Sequence, residues 1–208
     1  MTRRFVVTGT DTDIGKSVFA AGLVRLLGGV YWKPVQAGVD GGTDSTRVAA
    51  LAALPPERVL PEGYRLNTPC SPHAAAAIDG VTIDPDRLDP PATDRPLIIE
   101  GAGGALVPLT PTLLYADLFA RWHEPMIVVA TTALGTINHS LLTIEALRHR
   151  GVPIHGIAFI GDDVPESERI ICAIGKVKHL GRLPRLDPLT SDTLAVAFAA
   201  AFHTEDFA

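Results

Sequence analysis

Cysteine is scarce. Cys70 and Cys172 are the two in 208 residues, they lie far apart, and no C-x-x-C occurs, so neither a disulfide framework nor a thiolate metal site is expected. The seven histidines form no H-E-x-x-H pattern, which argues against a zinc centre. Two idle thiols fit a reducing compartment. Long apolar runs are missing as well. The longest, Leu194 to Phe202, has nine residues, against the roughly 20 that span a bilayer. The apolar stretch within Met1 to Thr8 is too short for a secretory leader. These absences predict a soluble, cytoplasmic chain that does not enter a membrane. An excess of positive charge is also lacking, because Lys plus Arg is 18 against 23 for Asp plus Glu, a net charge of −5. A nucleic-acid partner held by phosphate neutralisation needs a basic face, so none is expected. A small phosphate needs only one or two cations and is not excluded.

What is present is an ordinary globular mixture, 47% hydrophobic and 20% charged, long enough to bury a core unaided. Short apolar runs without polar alternation (5–7, 30–32, 97–99, 126–129 and 157–160) and a further short strand at 179–183 alternate with helix-length segments at 17–27, 113–122, 137–150, 166–174 and 191–202. Strands that are apolar on both faces, separated by helices, predict a mostly parallel α/β sheet in a single domain over 1–208. Residues 40–94 differ. They are rich in Pro, Gly, Asp and Ala and predict a loop-rich insert with short helices at 44–53 and 72–78.

The strongest local signal is Gly9-Thr-Asp-Thr-Asp-Ile-Gly15-Lys16-Ser17, which follows an apolar strand and opens a helix. Glycines let the backbone curl so that several N–H groups face one anion, and the helix N-terminus adds positive potential. Lys16 then reaches β- and γ-phosphates, and the Ser17 hydroxyl can ligate Mg²⁺. Five residues separate the two glycines where the usual phosphate loop has four. A second acid for the metal is offered by Glu100, after Leu97-Ile98-Ile99 and before Gly101-Ala102-Gly103-Gly104. On position alone Asp44 reads as a helix N-terminal acid, with a role as a further metal ligand left open. Lys33 is one of only four lysines and follows the second strand. It is either a solvated cation or a neutraliser of a transferring phosphoryl group. Gly135-Thr136-Ile137-Asn138 opens a helix whose free N–H groups could hold a carboxylate or be capped conventionally. His73 and His139 belong to no recognisable triad.

Taken together, Thr8 to Ser17, Lys33-Pro-Val-Gln36, Ser71-Pro-His73, Glu100 to Gly104 and Gly135 to His139 resemble, in this order and over essentially the whole chain, the dethiobiotin synthetase family. The longer glycine spacing is that family's own variant. The resemblance implies a phosphate-loop fold and the joining of CO₂ to 7,8-diaminopelargonic acid with ATP and Mg²⁺. The product is dethiobiotin, formed through a carbamate and a carbamic–phosphoric anhydride. It implies nucleotide binding by Asp13, Ile14, Gly15, Lys16, Ser17, Val18 and Glu100, and metal binding by Ser17, Asp44 and Glu100. Catalysis would fall to Lys16, Lys33 and Thr12, and substrate contacts to Lys33, Ala37, Gly103, Gly135 and Asn138. The last two would come from the partner in a homodimer.

Three positions depart from the family's habit. Ala37 stands where a small hydroxyl residue is usual, Asp13 stands where Glu is common, and Gly161-Asp162-Asp163 lacks an Asn that reads adenine. Another nucleoside triphosphate is therefore an alternative to ATP. A small-molecule kinase or amidoligase-type ATPase would share the loop and Glu100 but not the Lys33 and Ser-Pro-His elements. A partner-regulated ATPase switch usually carries an extra lysine early in the loop, and positions 9–14 have none.

Overall fold

The computed structural model describes residues 2–207. In chain order it contains β1 (Arg4–Gly9), α1 (Lys16–Leu26), β2 (Val30–Trp32), β3 (Val35–Ala37), α2 (Asp44–Ala52), β4 (Val59–Leu60), β5 (Tyr64–Leu66) and α3 (Pro72–Asp79). Then follow β6 (Leu97–Gly104), β7 (Pro108–Thr110), β8 (Leu113–Leu114), α4 (Tyr115–Trp122), β9 (Met126–Thr131), α5 (Thr136–His149), β10 (Ile154–Ile160), α6 (Pro165–Gly175), β11 (His179–Leu183) and α7 (Ser191–Ala201).

Seven strands form one sheet in the order β11-β10-β9-β1-β6-β2-β4, and every pairing in it is parallel. The apolar strand runs explain this arrangement, because successive side chains point to opposite faces and both faces are covered. Val6, Trp32, Ile99 and Val128 pack on one side with residues of α3, α4, α5 and α6. Val7, Tyr31, Ile98 and Val129 pack on the other with residues of α1, α2 and α7. The chain leaves β1 toward β2 on one side and later fills β9, β10 and β11 on the other. Ligands of open α/β sheets bind where strand order reverses in this way, above the carboxyl ends of the strands.

The structure corrects the sequence reading at three places. The stretch 40–94 contributes more than helices and loops: β4 extends the main sheet at its edge beside β2. Within the same region β5 pairs with β3 in a separate ribbon. Strands of two or three residues carry no readable period, which is why they escape pattern analysis. The helix expected over 113–122 begins at Tyr115, because Leu113 and Leu114 pair back on β7. The strand expected to stop at Ile99 continues to Gly104, its glycines pairing onward beside Gly9 after a register shift.

Helix α1 is held against α7 by a close approach at Gly22, where an added Cβ would lie 2.0 Å from Cδ2 of Phe198. That ring is buried and stacked on Phe202 at 4.4 Å between centroids, so it has little room to yield. Gly22→Ala gains helix propensity, about 1 kcal/mol, but overpacking of this kind costs about 1–3 kcal/mol. A net loss of stability is expected, read as a lower urea midpoint with unchanged slope. An unchanged or higher midpoint would show that α7 moves aside freely.

Candidate active site

The loop between β1 and α1 is shaped by two glycines and one strained aspartate. A Cβ on Gly9 would meet Ile14 at 2.7 Å and the Asp11 carbonyl at 2.9 Å, so only glycine permits the curl. Gly15 caps α1 at φ 97°, and Asp13 adopts the left-handed region at φ 55°. Among the described residues no acceptor meets the backbone N–H groups of Asp13 through Val18. These free donors, at the positive end of α1, form an anion cradle. Ile14 turns its side chain into the core, so it offers the cradle only its backbone.

At the first turn of α1 the Ser17 hydroxyl oxygen lies 2.8 Å from Oε1 of Glu100 and 3.1 Å from Oδ1 of Asp44, and can donate to either. Lys33 extends from the end of β2 into the same cluster. Its Nζ lies 2.5 Å from Oδ2 of Asp44, 3.3 Å from Oε1 of Glu100 and 3.3 Å from the Gly101 carbonyl. Three ammonium protons thus meet three acceptors. On the far side Tyr31 donates to Oε2 of Glu100 at 2.8 Å. Gln36, in β3, fixes the neighbouring backbone: its Oε1 accepts from the Asp44 N–H at 3.0 Å, and its Nε2 donates to the carbonyls of Ala37 and Gly38. Lys16 Nζ donates to the Asp11 carbonyl at 2.7 Å, arching over the loop.

Burial and charge set the protonation states. Burial pushes the Lys16 ammonium down to about 8, against the pull of Glu100. Burial also acts to lower Lys33, but the adjoining Glu100 and Asp44 carboxylates outweigh it and hold the ammonium above its ordinary value. Asp44 is pushed up by burial and pulled further down by Lys33 and the hydrogen bond from Ser17, so its carboxylate is held below the usual range. Burial, followed by the charge of Glu100, raises the Tyr31 phenol well above its normal value, so that it serves as a donor.

Lys16, Lys33, Asp44 and Glu100 line a cleft of about 800 Å³, and Tyr31 lies behind its wall. Of the residues expected from sequence, Thr12, Asp13, Gly15, Lys16, Ser17 and Val18 line it from the loop, and Lys33, Ala37, Asp44, Glu100 and Gly103 from the opposite walls. Gly103, at φ 66°, is held close to Thr12: a Cβ there would sit 3.4 Å from the Thr12 hydroxyl. Gly135 and Asn138 do not line the cleft; both are exposed at the start of α5. Among the described residues no three His, Cys, Asp or Glu side chains gather as an all-protein metal cage. A hydroxyl and two carboxylates beside an anion cradle instead fit Mg²⁺, which takes hard oxygen donors and completes its shell with phosphate and water.

Sequence reasoning missed Tyr31 and Gln36. Tyr31 had a signal, since it sits two residues before Lys33 on the same face of β2. Gln36 stands in the Lys33-Pro-Val-Gln36 element, but its role left no local signal, because it acts on the backbone of a segment eight residues away. Arg47, Asp40 and Cys70 also reach the cleft wall unforeseen.

Comparison with known proteins agrees with this geometry. An AAA domain family model matches residues 3–193. The ATP-dependent dethiobiotin synthetase BioD of Rhodopseudomonas palustris (strain BisB18) is 66% identical over 207 residues, covering 100% of this chain and 99% of that protein. The enzyme of the same name from Rhizorhabdus wittichii (strain RW1) is 68% identical over 208 residues, covering 100% of both. Among solved structures, a ParA family ATPase from Chlorobium tepidum TLS superposes with a TM-score of 0.58 at 13% identity, over 96% of this chain and 91% of that one. The cell division ATPase MinD of Pyrococcus furiosus gives a TM-score of 0.55 at 15% identity, over 95% of each chain. At such identities these two structures establish the fold alone, a parallel sheet of the phosphate-loop ATPase kind. Relatedness over the full length decides the family: the chain belongs to the ATP-dependent dethiobiotin synthetases.

Proposed function

We propose that this protein converts 7,8-diaminopelargonic acid, CO₂ and ATP into dethiobiotin, ADP and phosphate, as an ATP-dependent C–N-forming ligase of biotin biosynthesis. The observation that carries the reading is the contact of Lys33 with both Asp44 and Glu100, beside Ser17 at the mouth of a loop of free N–H groups. A generic nucleotide binder has no need of a second buried cation there. One amine of the substrate takes up CO₂ as a carbamate. A carbamate oxygen attacks the γ-phosphorus and ADP leaves. The second amine attacks the carbamoyl carbon and phosphate leaves, closing the ring.

Nearly all the catalytic work is positioning and charge neutralisation, because a carbamate and a triphosphate repel each other. The free N–H groups of Asp13 through Val18 hold phosphate oxygens. Lys16 swings from the Asp11 carbonyl to the β,γ-bridge. Ser17, Asp44 and Glu100 would hold Mg²⁺, which would neutralise charge on the phosphoryl groups. Lys33 moves its ammonium from the acids toward the transferring phosphoryl group. Thr12 and Gly103, close together on one wall, receive the carbamate. Ala37 supplies no hydroxyl there, so the bond to the reacting anion falls to backbone and to Thr12. The nucleotide is ATP, on the strength of the relatives' activity.

Asn138 and Gly135 then serve a neighbouring subunit in a homodimer. The exposed apolar side chains of Leu134 and Ile137 beside Asn138 support a partner at this face. With no helix long and apolar enough to cross a membrane among the described residues, the small soluble substrates support a cytoplasmic site of action.

The direct test incubates the protein with MgATP, bicarbonate and diaminopelargonate and looks for dethiobiotin by mass. Lys16→Ala is expected to lose turnover by a factor on the order of 10³ with its melting curve intact. Mixing it with an Asn138→Ala variant should restore part of the activity if the two residues act from different subunits. Wild-type protein that binds the diamine without nucleotide-dependent product would contradict the assignment.

Proton linkage gives a second check. With Lys16 near 8, the free site carries a partly neutral amine at pH 8 and a charged one at pH 7. A polyanion favours the charged form, so MgATP binding at pH 8 should take up a fraction of a proton and at pH 7 almost none. Calorimetry in buffers of different ionisation enthalpy reads this, and Lys16→Met should abolish it. Proton release at pH 8 would contradict it.

A further inference from the structure

Glu100 is 1% exposed, and its two oxygens are treated differently. Oε1 faces Ser17 and Lys33, on the cleft side. Oε2 has a single partner among the described residues, the Tyr31 hydroxyl at 2.8 Å. The placement follows from register. Tyr31 pairs with Ile98 across parallel strands, and Glu100 lies two residues further along the same face. The Tyr31 ring belongs to the buried cluster that includes Phe19, Val48 and Ile98, so its hydroxyl reaches Glu100 from the core and not from the cleft. A phenylalanine would fill the same space. Tyr115 sharpens the comparison: it is equally buried, but its hydroxyl finds no partner.

A carboxylate can rotate about its Cγ–Cδ bond, exchanging which oxygen it presents. We propose that Tyr31 is a positioning residue that locks Glu100 through Oε2 and thereby presents Oε1, next to Ser17 and Asp44, to the divalent cation. The inference rests on the metal-site reading given under Proposed function. Hydrogen-bond partners of ligating carboxylates fix ligand orientation, and their removal typically weakens metal binding about 10–100-fold.

The test is Mn²⁺ titration followed by electron paramagnetic resonance, on full-length protein saturated with adenylyl imidodiphosphate. Tyr31→Phe is expected to raise the Mn²⁺ dissociation constant about 10–100-fold. At saturating Mn²⁺ its kcat should stay near that of wild type, so the loss falls on the KM for metal, which a merely structural role would not single out. Tyr115→Phe, which removes an unpartnered phenol, should leave the affinity unchanged. Wild-type affinity in Tyr31→Phe, or an equal loss in Tyr115→Phe, would overturn the proposal while leaving the metal site standing. Wild-type protein that fails to bind Mn²⁺ with the nucleotide analogue would overturn the metal site and the proposal with it. Should Tyr31→Phe not fold, the hydroxyl proton of Tyr31 in the wild type provides the readout by nuclear magnetic resonance. It should be slow to exchange and shift on adding Mg²⁺ and analogue, and an unshifted resonance would overturn the proposal.

Discussion

One buried ammonium holds the cleft end of this molecule together. Lys33 touches Asp44 and Glu100 at once, and those acids come from different elements, the start of α2 and the strand β6. Two carboxylates this close would repel each other in a poorly solvated pocket. The ammonium offsets that repulsion, and beside it the Asp44 carboxylate is held below its usual range. With Lys16 nearby, two positive and two negative side chains balance at the mouth of the cradle. The arrangement is therefore costly to disturb by halves, since removing one member leaves an uncompensated buried charge.

The same cluster explains why the fold looks as it does around the cleft. The sheet supplies rigid origins: β1 for the loop, β2 for Lys33 and β6 for Glu100, in adjacent or near-adjacent positions. The less regular stretch between β2 and β6 brings Asp44 to them, and Gln36 pins that junction through three hydrogen bonds. Core packing thus fixes the backbone origins of these groups, and only the ends of the two lysines need to move under the proposed mechanism. The ParA family ATPase and the cell division ATPase MinD have a similar overall fold. The fold is shared, whereas the reading proposed above rests on Lys33 and its acids.

Much of this was legible in the sequence, for identifiable reasons. The loop could be read because strand, glycine spacing, lysine and helix agree with one another. Glu100 could be read because an acid interrupts an apolar strand just ahead of four small residues. The parallel sheet could be read from strands that lack polar alternation. Lys33 was ambiguous from position, because nothing local distinguishes a buried lysine from a solvated one; its partner acids lie 11 and 67 residues away. Asp44 was ambiguous for the same reason, and it proves to be both a helix N-terminal acid and a partner of Lys33 and Ser17. Strands as short as β4 leave no period to detect. Asn138 stands apart from the cleft of its own chain, and only the family resemblance connects it with chemistry.

The central claim is that Lys33 neutralises charge that develops during phosphoryl transfer. The most direct measurement is the single-turnover rate of dethiobiotin formation by Lys33→Met, with nucleotide affinity and the melting curve recorded on the same sample. A folded variant that binds ATP within a few-fold of wild type, yet turns over slower by a factor on the order of 10³, is the expected result. A folded variant that forms product at nearly the wild-type rate would contradict the account, since the buried ammonium would then have only a structural part to play.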